Sequence, residues 1–360
     1  MERRGGAVED MELSPAFWAG RRVFVTGHTG FKGSWLLLML EALGAEVSGY
    51  ALAPETPSMF DRVGGAARCR HRIADVRDAA TLDAALAEAA PEVVLHLAAQ
   101  PLVRASYVDP VGTYAVNLMG TVNLLDACRR TPGVRAIVVV TTDKCYRNDG
   151  RTEGYAEGDT LGGHDPYSNS KACAELAAAA YRDSFLAGAG VGLATARAGN
   201  VIGGGDYAAD RLVPDAIRAF AAGETLAIRN PAAIRPWQHV LEPLHGYLLL
   251  AERLYADPGS VAAGWNFGPG AGDAVPVAQV ADRLAALWGA GAAWAQEAGH
   301  HPHEAATLRL DSSAAANALG WRPRLALDEA LAWTIDWYRA AIAGADMADL
   351  SRRQINQFLR

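Results

Sequence analysis

The sequence predicts an α/β protein, with a parallel sheet covered by helices on both faces and a smaller mixed lobe at the carboxyl end. Three observations carry that prediction. An apolar run enters a glycine turn and then an apolar helix between residues 22 and 43. Short apolar runs then alternate with helical ones up to about residue 200, the pattern of a parallel sheet buried on both faces. Beyond Asn200 the alternation gives way to short pieces broken by Gly203-Gly-Gly205, Pro214, Pro231, Pro236 and Pro269.

After a polar leader, Arg22 to Thr26 reads as the first buried strand, Gly27-His-Thr-Gly30-Phe-Lys-Gly33 as a turn, and Ser34 to about Leu43 as an apolar helix. Glu46 to Ala51 and Cys69 to Ile73 read as the second and third strands, Thr81 to Ala89 as a helix, and Glu92 to His96 as the fourth strand. Pro110 to Arg130 reads as a long helix, Arg135 to Val140 as a strand, Pro166 to Leu186 as a helix and Val191 to Ala196 as the sixth strand. In the second half helices are expected over Pro214 to Ala221, Val240 to Leu254, Val277 to Leu287 and Leu327 to Arg339, with a His-rich turn near His300. The division is soft, with one unit over 18–200 and a second over 201–345 whose segments cross back to the first.

The 360 residues are 51% hydrophobic and 20% charged, enough apolar material for a core and too little charge for a disordered chain. A formal charge of −7 and the lack of a long basic tract argue against nucleic acid as a partner. The most apolar stretches, Trp35 to Leu40 and Gly246 to Leu250, fall short of the roughly 20 residues a bilayer requires, so no membrane partner is expected. Four cysteines without a C-x-x-C pair, and no signal peptide before Met11, point to a reducing cytoplasm.

Gly27-x-x-Gly30-x-x-Gly33, between an apolar strand and an apolar helix, suits a dinucleotide: the glycines let the backbone and the helix amides approach a pyrophosphate. Asp75, just after the third strand, is placed to accept from an adenine amine. The second strand ends in Gly49-Tyr-Ala51 with no carboxylate, so spacing alone leaves NAD and NADP open. Tyr167 and Lys171 lie four apart on one helix face, where the ammonium is expected to lower the phenol pKa for proton transfer at a sugar hydroxyl. Thr141-Thr142-Asp143-Lys144 follows a strand directly and supplies hydroxyls, a carboxylate and an ammonium where parallel sheets hold ligands. Arg211, Arg218, Arg229 and Arg235 form a candidate diphosphate clamp. His28 and His96 lack metal-ligand spacing, and no metal is expected.

Together these motifs resemble the extended short-chain dehydrogenase/reductase family, and within it the CDP-glucose 4,6-dehydratases, over nearly the whole chain from Phe17 to Tyr338. The general family features are the glycine turn, Asp75, His96-Leu-Ala-Ala99, the Tyr167/Lys171 pair and Arg197-x-x-Asn200-Val. Nearer to the subgroup are Gly27-His-Thr-Gly-Phe-Lys-Gly-Ser-Trp35, Gln100-Pro-Leu-Val-Arg104, Thr142-Asp-Lys-Cys-Tyr146, Gly203-Gly-Gly-Asp206 and Ile228-Arg-Asn-Pro-x-x-Ile-Arg-Pro-Trp-Gln-His239. The resemblance implies a Rossmann-like NAD-binding domain, a nucleotide-sugar substrate, a homodimer formed through the helices Pro110 to Arg130 and Pro166 to Leu186, and a redox-neutral dehydration.

By that resemblance Tyr167, helped by Lys171, removes the C4 hydroxyl proton, with Thr142 near the C4 oxygen. Asp143 is the acid for the leaving C6 hydroxyl, and Lys144 assists at C5. The related dTDP- and GDP-sugar dehydratases carry a glutamate where Lys144 stands, so Lys144 acts either as a neutral base or as a cation beside an enolate. The implied cofactor set is Gly27, His28, Thr29, Gly30, Phe31, Lys32, Gly33, Asp75, Val76, Leu97, Ala98 and Ala99 with Tyr167 and Lys171. The implied substrate set is Arg104, Asn200, Arg211, Leu212, Arg218, Arg235 and His303. Arg147 to Gly163, rich in glycine and charge, lies between the two catalytic stretches and is expected to cover the sugar. That departure keeps open another NDP-hexose or an NDP-heptose, or an epimerase of the same fold, as the alternative.

Overall fold

The strands β1 (Arg22–Thr26), β2 (Glu46–Ala51), β3 (Arg70–Ile73), β4 (Val93–His96), β5 (Ala136–Val140) and β6 (Gly192–Ala198) fall within two residues of their sequence-based bounds. A computed structural model describes residues 12–289, 291–299 and 305–360. These six strands and β10 (Gly264–Phe267) make one seven-stranded sheet in the order β10-β6-β5-β4-β1-β2-β3, and every neighbouring pair is parallel. The order reverses between β1 and β4, so the connections leaving them part to opposite sides and open a crevice at the carboxyl edge of the sheet.

Both faces of the sheet are covered, which is why its central strands lack polar alternation. Phe24, Val94, Ile137 and Val139 pack on one side with Leu82, Leu86, Leu124 and Leu125 of helices α2 (Ala79–Ala89) and α3 (Gly120–Arg130). Val23, Val25, Leu95 and Val138 pack on the other with helix α1 (Phe31–Ala42), in which every residue from Gly33 to Leu40 is buried. Burying each such side chain is worth about 1.5–3 kcal/mol against leaving it in water. Helix α1 begins at Phe31 rather than Ser34, because Gly30 caps it and Ser34 N donates to the Gly30 carbonyl at 2.9 Å.

The long helix expected over 110–130 is unbroken but contains a π-helical turn at Ala115–Met119 before α3. Helix α4 (Pro166–Tyr181) is capped by Asp165, whose Oδ1 accepts from Ser168 N at 2.9 Å, and it also runs on into a π turn, Arg182–Leu186.

The second lobe holds β7 (Asn200–Ile202), β9 (Ile234–His239) and β11 (Ala274–Pro276) in one small sheet, and β8 (Leu226–Ile228) paired with β12 (Trp294–Gln296) in another. The sequence reading assigned no strand beyond the sixth. These strands are three to six residues long and find partners far away in the chain, so no local period marks them. Helix α5 (Leu212–Ala222) precedes β8, and helix α7 (Val277–Trp288) follows β11. Helix α6 (Leu241–Ala256) packs back on β5 and β6 of the main sheet. Helix α8 (Leu327–Ile342) is followed by an unforeseen helix α9 (Met347–Phe358), which packs against α1 and joins its Arg352 to Glu41 at 3.2 Å. Among the described residues no helix is long and apolar enough to cross a membrane, and all four cysteines are free thiols.

Candidate active site

A cavity of about 680 Å³ opens at the carboxyl ends of β1, β4, β5 and β6 and runs on beneath the second lobe. Its first wall is main chain. Gly27, at a φ of +75°, turns the chain off β1 so closely over the β4 edge that a Cβ there would meet Ala98 N at 2.7 Å. A Cβ on Gly33 would stand 2.1 Å from the Gly27 carbonyl oxygen. Only glycine fits either place, and the result is a shelf of backbone leading to the amino terminus of α1. Thr29, Gly30, Phe31, Lys32, Val76, Leu97, Ala98 and Ala99 line the same part. Asp75 lines it too, and accepts from Arg77 N at 2.9 Å and from the Arg77 guanidinium at 2.6 Å. Those bonds hold the Asp75 carboxyl below its ordinary range.

The crevice is braced from beneath by two buried histidine bonds. His96 joins Thr26 Oγ1 at 2.7 Å through Nδ1 and Thr121 Oγ1 at 3.0 Å through Nε2. Burial pulls this imidazole down to about 3, so His96 is a neutral strut between β1, β4 and α3.

The reactive end follows β5. Thr142 caps a short turn over Asp143–Cys145, with its hydroxyl donating to Asp143 Oδ1 at 3.1 Å. Asp143 is 2% exposed and its Oδ2 has no hydrogen-bond partner. Burial pushes the Asp143 carboxyl up, against the pull of Lys144, the Thr142 bond, Arg235 and Lys32. A raised pKa favours the protonated carboxyl, the form that can donate a proton to a leaving group. Tyr167 and Lys171 both face the cavity from α4.

The Lys171 ammonium donates to the Val140 carbonyl at 3.1 Å, and burial pulls it down to about 8, with Glu175 opposing. The phenol does not have the lowered pKa expected from its neighbour. Burial pushes it up to about 12, a bond to Thr142 and the charge of Arg211 hold it down, and Asp143 adds to the rise. The Lys171 nitrogen is turned to the strand end, where it bonds the Val140 carbonyl.

One turn beyond Lys171, Glu175 is buried and fully engaged. Its Oε2 accepts from Thr195 Oγ1 at 2.5 Å and from Arg197 Nη2 at 2.6 Å, while Oε1 accepts from Thr141 Oγ1. The Arg197 guanidinium in turn donates to the Tyr146 hydroxyl at 2.7 Å. This network ties α4 to the ends of β5 and β6 and so fixes where Tyr167 and Thr142 stand relative to each other.

The second wall carries cations. Asn200, Arg211, Leu212 and Arg235 line it as expected, together with Arg229. Arg235 is 6% exposed. Arg211 pairs with Asp206 at 2.8 Å. Arg104 also lines the cavity, and pairs with Asp210 at 2.7 Å, across which Arg229 stands at 3.0 Å.

Two expected residues turn elsewhere. The His28 ring is fully buried, because Gly49 opposite leaves room for it, and it packs on Phe60 and bonds His71 Nδ1 at 3.1 Å; it does not line the cavity. Arg218 lies on the outer side of α5, donates to the Tyr207 carbonyl at 3.1 Å and pairs with Asp215 three residues before it. His303 lies outside the described residues. Arg147 to Gly163 does not line the cavity; it packs through Tyr155 on Leu308 and Leu310. No group of three potential metal ligands occurs among the described residues.

Lys32, expected on the cofactor side, lines the cavity as well. Lys32 reaches past the glycine turn, where it feels Asp143, Lys171, Arg211 and Asp206, and burial pulls it down to about 7. Asp206, Asp210, Leu226, Ala227, Ile228 and Glu297 complete the far part. Asp206 and Ile228 stand in strings that carry the family resemblance, whereas Asp210, Leu226, Ala227 and Glu297 have no signal beyond the apolar and charged mixture after Asn200, without a period to give their direction.

The family model described as GDP-mannose 4,6 dehydratase matches residues 24–334. The chain is 51% identical over 349 residues to a CDP-glucose 4,6-dehydratase of Salmonella typhimurium (strain LT2), covering 95% of this chain and 97% of that one. It is 32% identical over 280 residues to a dTDP-glucose 4,6-dehydratase of Streptomyces antibioticus, covering 74% and 75% of the two chains. Among solved structures, a UDP-glucose 4-epimerase of Thermus thermophilus in complex with NAD superposes with a TM-score of 0.77 at 28% identity, over 89% of this chain and 99% of that one.

Proposed function

The chain belongs to the GDP-mannose 4,6-dehydratase family, and on that premise we propose that it converts CDP-D-glucose to CDP-4-dehydro-6-deoxy-D-glucose and water, using NAD. The observation that carries the reading from family to reaction is Asp143. A buried carboxyl with a raised pKa and a free oxygen, beside Thr142 and Lys144 in the cavity that also holds Tyr167, is what elimination needs and a 4-epimerase does not. The 51% identity to a CDP-glucose 4,6-dehydratase supports the nucleotide.

The shelf at Gly27 and Gly33, with Asp75 and the Leu97–Ala99 edge beside it, fits a dinucleotide: its backbone approaches where no Cβ is tolerated, and its helix amides face a pyrophosphate. NAD, when bound, supplies the hydride chemistry, taking hydrogen from C4 of the sugar and giving it back at C6. Tyr167 receives the C4 hydroxyl proton, with Thr142 holding the same oxygen. The C4 ketone then makes the C5 hydrogen acidic. Lys144, as a neutral amine, takes that proton and as the ammonium so formed steadies the enolate, and Asp143 protonates the C6 hydroxyl so that it leaves as water. A proton returns to C5, and the sum is the loss of one water with no net oxidation. Arg211, Arg235 and Asn200 hold the diphosphate.

This reading keeps the division into a cofactor unit over 18–200 and a mainly substrate-binding unit over 201–345. It sets the reaction in the cytoplasm, in keeping with the four free thiols. It also takes the chain as a homodimer. Val108, Val111, Met119, Leu176 and Phe185 are large apolar residues left 49–88% exposed on or beside the helices Pro110 to Arg130 and Pro166 to Leu186. Light scattering giving a single-chain mass at micromolar concentration would count against that interface.

The test of the reaction is to incubate the protein with NAD and CDP-, dTDP-, GDP- or UDP-glucose and to follow product mass and the alkali-induced absorbance of 4-keto sugars. Loss of one water from CDP-glucose in preference to the others is the expected result. A product of unchanged mass would replace the dehydratase by an epimerase.

A further inference from the structure

Cytosine differs from uracil and thymine at one edge atom. Its N4 amine donates where the other bases carry an O4 that only accepts, so a carboxylate set against that atom attracts one base and repels the others. Beyond Arg229 and Arg235 the far wall of the cavity includes Leu226, Ala227, Ile228, Ala233, Val277 and Glu297. With the reacting groups at the β5 end and the cations between, this apolar recess is where a nucleoside carried on the diphosphate would lie.

Glu297 is brought there by backbone pairing. In the parallel β8–β12 ribbon Ala295 stands opposite Ala227 and Gln296 opposite Ile228. The pairing continues one residue past the strand, where Glu297 N donates to the Ile228 carbonyl at 2.9 Å. Side chains alternate along a strand, so Glu297 shares a face with Ala227 and Ala295. Those two alanines are exposed, whereas Leu226 and Ile228 are buried beneath. Of the three on that face, Ala227 and Glu297 line the cavity, so a methyl side chain leaves a flat floor for a ring with a carboxylate at its border. The other carboxylates of this wall are engaged by arginines: Asp206 with Arg211 at 2.8 Å, Asp210 with Arg104 at 2.7 Å, and Asp215 with Arg218.

We infer that Glu297 is a specificity residue for cytosine: its carboxylate accepts from the N4 amine of a base lying over Ala227 and turns away bases that present O4. The inference rests on the CDP-sugar reading and adds to it the group that makes the choice.

The test is calorimetric binding of CDP, UDP and dTDP to the NAD-loaded protein and to its Glu297→Gln and Glu297→Ala variants, with melting temperature and NAD affinity measured alongside. Glu297 is exposed, so both variants are expected to fold as the parent does. In the parent CDP binds tighter than UDP or dTDP. In Glu297→Gln that preference falls roughly ten- to hundred-fold, because the amide can donate to O4; in Glu297→Ala it falls through weaker CDP binding. A parent that binds CDP and UDP alike would overturn the CDP reading and the inference with it. A parent that prefers CDP, with both variants keeping the full preference, would leave the reading standing and remove Glu297 from it.

Discussion

The wall of the cavity between Gly27 and Ala99 is made of main chain, whereas the wall between Asn200 and Glu297 is made of charged side chains held by one another. In the first, shape follows from two glycines and a strand that leads into a helix, all within residues 22–42. In the second, Arg104 reaches Asp210 from 106 residues away, and β8 finds its partner in β12. A site of main chain is rigid and indifferent to the identity of most side chains near it. A site of side chains can be retuned by single substitutions, which suits the part of the molecule that must tell one nucleotide sugar from another.

The largest expected effect comes from breaking the main-chain wall. In Gly33→Ala the new Cβ would meet the Gly27 carbonyl oxygen at 2.1 Å and His28 Cα at 2.7 Å, so backbone must move. Stability should fall by about 1–3 kcal/mol, and NAD affinity by roughly a hundredfold or more, read by thermal melting and NAD titration. Gly30→Ala is the control. Its nearest contact would be 3.4 Å, and it should stay within about 0.5 kcal/mol of the parent. Equal melting temperatures for the two variants would deny that the shelf needs a bare backbone.

The side-chain wall should respond in the opposite sense. Arg235→Lys keeps the charge but loses the planar fork, so KM for the nucleotide sugar should rise roughly ten- to hundred-fold while NAD affinity stays unchanged. Steady-state kinetics beside NAD titration separate the two. A variant that weakens NAD and leaves KM alone would reverse the assignment of the walls.

One effect is common to both halves. Burial pulls His96, His239 and His245 from 6.5 to about 3, and His28 to about 4. The unfolded chain takes up these protons below pH 6.5 and the folded chain does not until about pH 3–4. Stability fully present above 6.5 is therefore lost as pH falls through that window. Glu242, pushed by burial up to about 7, acts in the opposite direction, as do the buried carboxyls of Asp143, Glu157 and Glu252, which burial also pushes up. The urea midpoint should fall between pH 7 and pH 5. A midpoint that rises on acidification would mean the imidazoles are not held neutral.

The same contrast explains what could be read from the sequence. The six strands to Ala198, the glycine shelf, Asp143 and the Tyr167/Lys171 pair are set by patterns within one element or one turn, and periodicity with residue type was enough to locate them. His28 sits in the right turn but faces inward, because a glycine on the neighbouring strand makes room for its ring, a fact that needs the sheet to be assembled first. Arg218 was misdirected for a similar reason: on α5 the register, and not the composition, decides that Arg211 faces the cavity and Arg218 faces out. The lowered phenol pKa expected from the four-residue spacing is overridden by burial, which pushes Tyr167 up to about 12, while the Lys171 ammonium bonds the Val140 carbonyl. Glu297 carried no signal at all until β8 and β12 were paired.

The central claim is that oxidation at C4 and elimination across C5 and C6 are handled by different groups in one cavity, Tyr167 for the first and Asp143 for the second. The most direct measurement is a single turnover of Asp143→Asn with NAD and CDP-glucose, following nicotinamide absorbance and product mass together. The variant is expected still to oxidise the sugar and to accumulate reduced nicotinamide with a 4-keto sugar of unchanged carbon skeleton, while loss of water slows by roughly 10²–10⁴-fold. A variant that loses water at the parent's rate would contradict the claim.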